Sequence, residues 1–240
     1  MTLPAYVIHL ERAVARRGNA ERLCQQLGPA AQIVPAVDGA AVGSVPPSKT
    51  HPFPSYPFSL RSSEIGAFMS HRACWQRILD EGHDAALVVE DDIELASSFQ
   101  PALDLAMQHL TERAYVRFPW RGREKPRTVV ATSGTTILFR PKVVGLGMLA
   151  QVVTRGAAER LLDATRQFDR PVDTYLQLFW DHGADMMSVW PSGVSEISAN
   201  LGGTTIHARS GVLEKLRRET LRPAYRLALA FQSSRVRHDQ

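Results

Sequence analysis

Three consecutive acidic residues, Glu90, Asp91 and Asp92, form the strongest chemical signal in the sequence. They follow directly on the apolar run of residues 85–89, which is typical of a buried strand in a parallel sheet. Ligands of open α/β sheets bind beyond the carboxyl ends of the strands. Adjacent carboxylates repel one another unless a cation neutralises them, and oxygen ligands suit Mg²⁺ or Mn²⁺, which in turn suit diphosphates. The alternative is a strand-to-loop junction whose acidic side chains face water.

Charged residues also follow the first two predicted strands. Arg12, Arg16 and Arg17 come after the first strand, where a guanidinium could pair with a diphosphate; the alternative is a solvated helix face. Asp38 ends the second strand, before Gly39, and a short acid at that point could hydrogen-bond a ribose or a uracil. The alternative for Asp38 is an aspartate that only forms the turn.

Three further candidate residues lie on predicted helices. Asp173 stands at a helix start after Pro171, where its carboxylate could cap free N–H groups. It could instead act as a general base that takes the proton from an acceptor hydroxyl. Ser70 and His71 lie on a helix with an apolar face, where a single histidine is more often a core residue than a ligand.

Strand and helix patterns alternate along the chain, and the elements that they predict position the candidate residues. Short apolar runs predict strands, apolar residues at intervals of three and four predict helices, and segments rich in glycine and proline predict loops. Such alternation is typical of an α/β sheet covered by helices on both faces. Strands are predicted at residues 5–10, 31–37, 85–89, 114–118, 135–139, 149–153 and 186–189, helices at 13–27, 63–81, 101–110, 156–168 and 171–180, and the main loops at 40–60, 120–132 and 191–211.

Length and composition favour one large folded domain with a short appendage. The chain has 240 residues, of which 44% are hydrophobic and 22% charged, and this mixture excludes wholesale disorder. No apolar run reaches ~18 residues, so no membrane-spanning helix is predicted. The start of the chain lacks a charged leader before an apolar stretch, so no signal peptide is predicted. Cys24 and Cys74 are far apart, which predicts reduced thiols of a cytoplasmic protein.

The excess positive charge lies at the C-terminal end. The formal net charge is +4, and residues 213–240 carry seven basic and three acidic side chains, so the rest of the chain is neutral overall. A nucleic-acid-binding domain would carry a basic face on its body beside groove-reading or aromatic motifs, and the sequence contains none. We therefore expect no nucleic-acid partner.

Residues 212–240 are predicted to form a basic amphipathic helical tail. Leu213, Leu227 and Phe231 belong to an apolar series at helical spacing, with arginines on the other faces. Pro223 is expected to divide this helix or to kink it. Such a tail could lie weakly on an anionic membrane surface. The alternative is a helix that packs on the body through the same apolar residues.

Six segments, taken together and in their order along the chain, resemble glycosyltransferase family 25. This family comprises bacterial lipopolysaccharide and lipooligosaccharide glycosyltransferases and collagen-type galactosyltransferase domains. No single segment is specific, but the combination is, and it covers roughly residues 5–210. The segments are YVIHLERAVARR, PAVDG, SSEIGAFMSHRACW, ALVVEDDIEL, AQVVTRGAAERLL and PVDTYLQLF.

The resemblance implies an α/β fold of GT-A type, a Rossmann-like domain that binds a nucleotide-diphospho-sugar on a mostly parallel central sheet. It implies a catalytic domain over residues 1–211, followed by the tail. The implied activity is inverting transfer of a sugar, with galactose as first candidate, from a UDP-sugar to a hydroxyl of a lipid-linked or oligosaccharide acceptor. The implied cofactor is Mn²⁺ or Mg²⁺. The lack of a predicted signal peptide favours the cytoplasm, and the basic tail would make the protein peripheral on the inner face of the cytoplasmic membrane.

The resemblance also implies roles for individual residues. Glu90 stands in place of the first aspartate of the family's D-x-D-like motif, so Asp92 is the main expected metal ligand, and His207 in a late loop is a third candidate. Asp173 matches the family's P-x-D segment on the acceptor side, which favours the general-base role. Donor contacts are expected from Leu10, Arg12, Arg16, Asp38, Ser70, His71 and Asp91. Ser70 and His71 could instead support the acidic motif.

Two parts of the chain depart from the family pattern. His9 stands where the family usually has asparagine, so the resemblance gives this position no role. Residues 115–136 match poorly, and we expect the acceptor to be recognised there.

Two other classes of function compete with an active glycosyltransferase. A catalytically silent protein of the same fold could bind a nucleotide sugar or serve as a scaffold, but the intact acidic triplet and Asp173 argue against decay. A metal-dependent nucleotidyl or phosphoryl transferase would need a glycine-rich phosphate cradle after the first strand. The chain has no glycine before Gly18.

Overall fold

The fold is known from a computed structural model. It describes residues 3–42, 54, 56–201 and 212–235, and of residues 212–220 the backbone alone. The strands are β1 (Ala5–His9), β2 (Ala31–Pro35), β3 (Ala85–Glu90), β4 (Ile93–Leu95), β5 (Ala114–Arg117), β6 (Pro126–Ser133), β7 (Thr136–Pro141), β8 (Ala150–Thr154), β9 (Asp185–Trp190) and β10 (Val194–Glu196). The helices are α1 (Val14–Leu27), α2 (Ser62–Asp80), α3 (Phe99–Met107), α4 (Arg155–Ala164), α5 (Val172–Leu176), α6 (Phe179–His182) and α7 (Val212–Arg235), with one 3₁₀ turn at Ser198–Leu201.

Eight strands form one central sheet in the order β2-β1-β3-β8-β5-β9-β7-β6, and β10 pairs with β4 beside it. Three of the seven neighbour pairings in the central sheet are parallel and four are antiparallel. Six strands run in one direction, and β7 and β8 run the other way. The predicted α/β class is confirmed. Most strands of the sheet run in the same direction, as predicted, but parallel and antiparallel neighbour pairs are mixed.

The reversed direction of β7 follows from its short connection to β6. A parallel crossover needs a dozen or more residues, usually including a helix. The turn between β6 and β7 is instead only Gly134 and Thr135, and Gly134 has a positive φ of 57° that favours glycine in a tight hairpin. The prediction of a loop over residues 120–132 was therefore wrong for β6. This edge strand is mostly exposed, so its sequence is polar and lacks the apolar run of a buried strand.

Alternating strand residues pack against helices on both faces of the sheet. Val7 of β1 packs with α1 and α3 on one face, while Tyr6 packs with α2 and α4 on the other. In β3, Leu87 packs on the same face as Val7, and Val88 packs on the same face as Tyr6. This period of two is the sheet geometry, and it confirms the predicted sheet with helices on both sides.

Two predicted elements have different extents in the structure. The single helix expected over residues 171–180 is broken into α5 and α6, and Gln177 at the break donates its side-chain N–H to the Val144 carbonyl at 2.6 Å. The loop expected over 191–211 contains β10, which pairs with the short β4. Both strands of this pair have three residues, too few for a period-two pattern to identify.

The tail helix α7 is continuous through Pro223, so its division into two helices was wrong. Proline removes one N–H donor from a helix. The turns after it are held by packing on the body, where Leu229 and Ser233 are buried. No helix in the described part of the chain has both the length and the apolar character needed to cross a bilayer.

Gly66 of α2 lets this helix approach the segment that follows β2. A Cβ atom at position 66 would lie 2.7 Å from the Gly39 nitrogen and 2.7 Å from the Val37 carbonyl oxygen. Both are backbone atoms, which cannot swing aside as a flexible side chain can. The close approach fixes the distance between α2 and the end of β2, where the candidate site lies.

We expect Gly66→Ala to lower the free energy of unfolding by about 1–3 kcal/mol, because overpacking a tight backbone contact forces the two elements apart. The matched control is Gly18→Ala on exposed α1, where a Cβ would meet no atom within 4 Å. That change should stabilise the helix by about 0.5–1 kcal/mol. Urea denaturation of the two variants measures both effects, and equal stability of Gly66→Ala and the wild type would contradict the close-contact interpretation.

Candidate active site

Two adjoining pockets open at the carboxyl ends of β1, β2 and β3. The inner pocket has a volume of about 150 Å³, and the outer pocket one of about 570 Å³. Glu90, Asp92 and Ala67 line both pockets, so the acidic triplet stands at their junction. The inner pocket is lined by Ile8, Leu10, Arg12, Arg16, Ala36, Val37, Gly39, Ser63, Ala67, Ser70, His71, Glu90, Asp91 and Asp92.

Most residues expected at the donor and metal sites therefore meet in one place. Asp38 is not itself a lining residue of the inner pocket, but its neighbours Val37 and Gly39 are. Asp173 lines the outer pocket. His207 lies outside the described residues.

The Asp91 carboxylate is bound inside the protein. Its Oδ2 lies 2.6 Å from Nδ1 of His9, and its Oδ1 accepts a hydrogen bond from Arg16 at 3.1 Å. The side-chain amide of Asn19 donates to the carbonyls of Asp91 and Ile93 at 2.7 and 2.9 Å. These contacts fix the acidic triplet to β1 and α1. His9 thus has a supporting role that the sequence did not reveal, and Asn19 was missed altogether.

Arg16 is buried between two carboxylates of the triplet. Its Nη1 lies 3.1 Å from Asp91 Oδ1 and 3.0 Å from Asp92 Oδ2. The protein itself therefore supplies part of the positive charge that the three acids need. Arg17 pairs instead with Glu21 on the exposed face of α1, as the alternative of a solvated helix face predicted.

Asp92 has an environment that would suit a metal ligand. Its Oδ1 is buried and has no hydrogen-bond partner within the described residues. Burial, and then repulsion by Glu90, raise the pKa of Asp92 from 3.8 to about 7, against the opposing effect of Arg16. An unpaired buried carboxylate oxygen is unfavourable, and a cation would relieve both the missing contact and the repulsion. The oxygen donors of Glu90 and Asp92 fit Mn²⁺ or Mg²⁺.

The described residues do not by themselves complete a metal site. Within them, no three His, Cys, Asp or Glu side chains form a group that could hold a metal ion. The third expected ligand, His207, lies outside the described part of the chain. Two carboxylates plus substrate phosphates and water are nevertheless a common arrangement for Mg²⁺.

The raised pKa of Asp92 predicts how stability depends on pH without metal. The folded protein binds this proton more tightly than the unfolded chain, so ionisation of Asp92 lowers stability as pH rises from about 4 to about 7. We expect Asp92→Asn to remove this part of the pH dependence. Denaturation in EDTA at pH 5 and pH 8, for wild type and variant, isolates it from other titrating groups. Identical pH profiles would contradict the assignment.

Glu90 is supported from behind by a buried chain of polar groups. Nε2 of His71 lies 3.4 Å from Glu90 Oε1, and the side-chain amide of Gln151 lies 3.4 Å from His71 Nδ1. Gln151 is on β8, the antiparallel strand beside β3. His71 thus supports the acidic triplet, which was one of its two predicted functional roles.

Ser70, Arg12 and Asp38 make internal contacts at the inner pocket. The Ser70 hydroxyl donates to the Gly66 carbonyl at 2.7 Å and accepts the Val37 N–H at 2.8 Å, so it ties α2 to the end of β2. Arg12 donates to both carboxylate oxygens of Asp38 at 2.7 and 3.2 Å. This pair holds the pKa of Asp38 below its usual value. Asp38 also accepts the Ala40 N–H at 2.9 Å, as a turn-forming aspartate does.

Asp173 contacts a loop rather than capping its own helix. The residue at the N-cap of α5 is Pro171, and no side-chain capping bond is formed there. Oδ2 of Asp173 accepts the Gly147 N–H at 3.0 Å, and Oδ1 accepts the Thr174 hydroxyl at 3.2 Å. Asp173 therefore does not cap the N–H groups at the start of its own helix, and the capping alternative is wrong. The carboxylate lies half-buried in the wall of the outer pocket.

A buried ion pair fixes the loop that contacts Asp173. Arg117 pairs with Glu124, and its Nη2 donates to the carbonyls of Leu146 and Gly147 at 3.0 and 2.9 Å. Glu124 also accepts the N–H of Gly145. Sequence reasoning missed both charged residues, because their segment matches the family poorly and nothing local pairs them.

The tail helix α7 packs on the body and contributes to the outer pocket. The hydroxyl of Tyr225 accepts a hydrogen bond from the buried Arg170 at 3.0 Å. Ser233, further along the same helix, is also buried and accepts hydrogen bonds from Arg127. The packed-helix alternative thus describes this face. The outer pocket is lined by Tyr56, Phe58, Glu64, Ala67, Glu90, Asp92, Trp120, Leu146, Gly147, Met148, Leu149, Pro171, Val172, Asp173, Thr174, Gln177, Glu196, Arg222, Tyr225 and Arg226.

Comparison with known proteins gives one family. The sequence model described as "Glycosyltransferase family 25 (LPS biosynthesis protein)" matches residues 2–176. The chain is 29% identical over 211 residues to "Probable inactive glycosyltransferase 25 family member 3" of Rattus norvegicus, covering 81% of this chain and 36% of the relative. It is 29% identical over 116 residues to procollagen galactosyltransferase 2 of Homo sapiens, covering 45% of this chain and 18% of that protein. The chain thus spans about a third or less of the length of these curated relatives.

Proposed function

Because the chain belongs to glycosyltransferase family 25, we propose that it is an inverting glycosyltransferase that uses a UDP-sugar. The donor sugar is galactose, and the acceptor is a hydroxyl of a lipopolysaccharide, lipooligosaccharide or related surface glycan. The observation that carries the proposal is the buried oxygen of Asp92, which has no hydrogen-bond partner among the described residues and lies at the junction of the two pockets. A donor in the inner pocket and an acceptor in the outer pocket would meet at this point.

The inner pocket takes the nucleotide in this proposal. Arg12 lines it, and Asp38 holds the Arg12 guanidinium by two hydrogen bonds. A guanidinium with a fixed orientation can donate to diphosphate oxygens. Leu10 lies in the same pocket wall and supplies an apolar surface for the nucleobase of the donor.

Glu90 and Asp92 would hold Mn²⁺ or Mg²⁺, which when bound offsets the negative charge that develops on the departing UDP. The protein prepares these carboxylates in advance. His71 supports Glu90 at 3.4 Å, and Arg16 holds one oxygen of Asp92 at 3.0 Å. Such preorganisation avoids rearrangement during the reaction.

Asp173 is the general base of the proposed reaction. Inversion in one displacement needs a group that takes the proton from the acceptor hydroxyl, and it needs no nucleophile from the enzyme. The Gly147 N–H and the Thr174 hydroxyl orient the carboxylate in the wall of the outer pocket. An acceptor hydroxyl in that pocket could therefore transfer its proton to Asp173.

A catalytically silent nucleotide-sugar-binding protein is the second candidate. The name of the Rattus norvegicus relative, which includes the word inactive, favours it. Both candidates bind UDP, but only the enzyme releases UDP from a UDP-sugar in the presence of an acceptor.

A donor screen separates the two candidates. The full chain is incubated with Mn²⁺, a panel of UDP-, GDP- and CMP-sugars and a mixture of oligosaccharide acceptors, and the release of free nucleotide is measured. We expect release from UDP-galactose and loss of that release in EDTA. UDP binding without turnover would support the silent protein. No binding of any nucleotide would contradict both.

We also propose weak attachment of α7 to anionic membranes, where a lipid-linked acceptor would lie. The side chains of Leu227 and Phe231, one turn apart, are 72% and 52% exposed although α7 packs on the body. The exposed apolar side chains can enter the interface while neighbouring arginines meet headgroups.

We expect wild-type protein to sediment with anionic vesicles at low salt and to be released at high salt, because each basic residue contributes only about 1 kcal/mol. The double variant Leu227→Gln, Phe231→Gln should lose sedimentation at low salt. The control Val129→Gln changes an apolar residue on β6 that is 50% exposed, nearly as much as Phe231, and should have no effect. Sedimentation of the double variant like wild type would refute attachment through α7.

A further inference from the structure

The outer pocket has an aromatic and basic wall that the proposed catalytic residues do not use. Tyr56, Phe58 and Trp120 from the body and Tyr225 from α7 line it, together with Arg226. Aromatic rings offer flat apolar faces that suit the C–H faces of sugar rings. A second arginine of α7, Arg222, lines the same wall.

This wall is anchored through Tyr225. Its ring lies 5.6 Å from that of Tyr56 in an edge-to-face arrangement, and its hydroxyl accepts a hydrogen bond from Arg170 at 3.0 Å. Arg170 is itself fully buried and donates to Asp169 at 2.6 and 2.9 Å. Further along α7, Leu229 is buried against the body. The helix therefore has a fixed position, and the pocket wall that it provides belongs to the folded structure.

The two arginines on either side of Tyr225 are exposed at the pocket rim. The Arg222 guanidinium lies 5.9 Å from the Phe58 ring centroid. Within the described part of the chain, neither Arg222 nor Arg226 forms an ion pair with a carboxylate. The remaining charged residues of the pocket are acidic and include Glu90, Asp92 and Asp173. Glu90 and Asp92 thus lie at the end of β3 and just after it, Asp173 lies on α5, and the two arginines form a basic rim on α7.

We propose that Arg222 and Arg226 form an anion subsite for the acceptor, so that the acceptor is a glycan with a phosphate or carboxylate group. A guanidinium pairs with either group through two parallel hydrogen bonds. The charge distribution orients such a ligand, because its anion is attracted to α7 and repelled from the carboxylates. Its neutral hydroxyl end then lies toward Asp173. This assignment rests on the proposed function only in calling the ligand an acceptor.

The subsite lies outside the part of the chain that the family model matches, which ends at residue 176. α7 begins at Val212. The catalytic groups and the anion subsite therefore come from different parts of the sequence. Differences in this helix could change the acceptor without changing the transfer chemistry.

The test compares two anionic sugars with a neutral sugar built on the same pyranose ring. Binding of methyl β-glucuronide, glucose 6-phosphate and methyl β-glucoside to the full chain with UDP and Mn²⁺ is measured by NMR titration at low salt. We expect both anionic sugars to bind about tenfold more tightly than the neutral glucoside, from hydrogen bonds to charged groups. The double variant Arg222→Gln, Arg226→Gln should bind all three sugars equally. The control Arg235→Gln lies on the same helix over Phe231, away from the pocket, and should keep the preference.

The wild type could prefer only one of the two anionic sugars. If the double variant loses that preference, the result would support the subsite and identify the anion that it binds. Equal binding of anionic and neutral sugars by the wild type would overturn the proposal, as would an unchanged preference in the double variant. UDP binding in the same samples tests the proposed function separately. Failure to bind UDP, with an anion preference that depends on the arginines, would reject the glycosyltransferase assignment and retain the anion subsite.

Discussion

Replacing Asp92 with alanine is expected to abolish Mn²⁺-dependent UDP binding and sugar transfer while leaving the fold intact. The proposed metal would lose the ligand whose buried oxygen has no other partner in the described structure. Metal stabilisation of charge on a leaving group contributes several kcal/mol, so the transfer rate should fall by about a thousandfold or more. Calorimetric titration with UDP in Mn²⁺ and in EDTA, together with nucleotide release, measures both losses.

The fold should tolerate this change because Asp92 is unfavourable in the metal-free protein. Its carboxylate is buried and repelled by Glu90, and Arg16 keeps Asp91 as a partner when Asp92 is removed. Glu94→Ala is the matched control, because Glu94 is an exposed acid two residues away. This control should change neither UDP binding nor transfer. Wild-type activity in Asp92→Ala would show that the metal assignment is wrong.

Replacing Asp173 with asparagine is expected to lower kcat by about 10²–10⁴ with little change in donor affinity. Asparagine is nearly the same size, and its amide oxygen can still accept the Gly147 N–H. The variant should therefore keep the loop contact and lose only the ability to take a proton. Steady-state kinetics with a UDP-sugar and thermal denaturation of the same samples separate these two roles.

The control for Asp173→Asn is Asp163→Asn, which changes an exposed aspartate on α4 that pairs with Arg166 at the surface. Its kcat and melting temperature should match those of the wild type. A lower melting temperature with kcat preserved in Asp173→Asn would contradict the general-base role. It would indicate instead that Asp173 serves to fix the loop held by Arg117 and Glu124.

The sequence by itself determined the elements that carry the site. The apolar run before Glu90 predicted β3, the helical spacing from residue 63 predicted α2, and the paired patterns predicted an α/β sheet with helices on both faces. These signals are local, because burial on one face of a helix or on both faces of a strand leaves a period in neighbouring residues. The family resemblance was confirmed by the match over residues 2–176.

The tertiary structure alone decided how the charged groups share the site. His9 and Asp91 are 82 residues apart in sequence, Arg170 and Tyr225 are 55 apart, and each pair is joined by a hydrogen bond. No local pattern encodes such pairings, since a charged residue looks the same in sequence whether its partner is water or a distant side chain. The family resemblance favoured Asp92 as the metal ligand, but for the same reason the sequence did not show which of the three carboxylates is bound by other side chains of the protein. Only the folded structure distinguishes Asp91, whose two oxygens are bound by His9 and Arg16, from Asp92, which keeps one buried oxygen without a partner in the described chain.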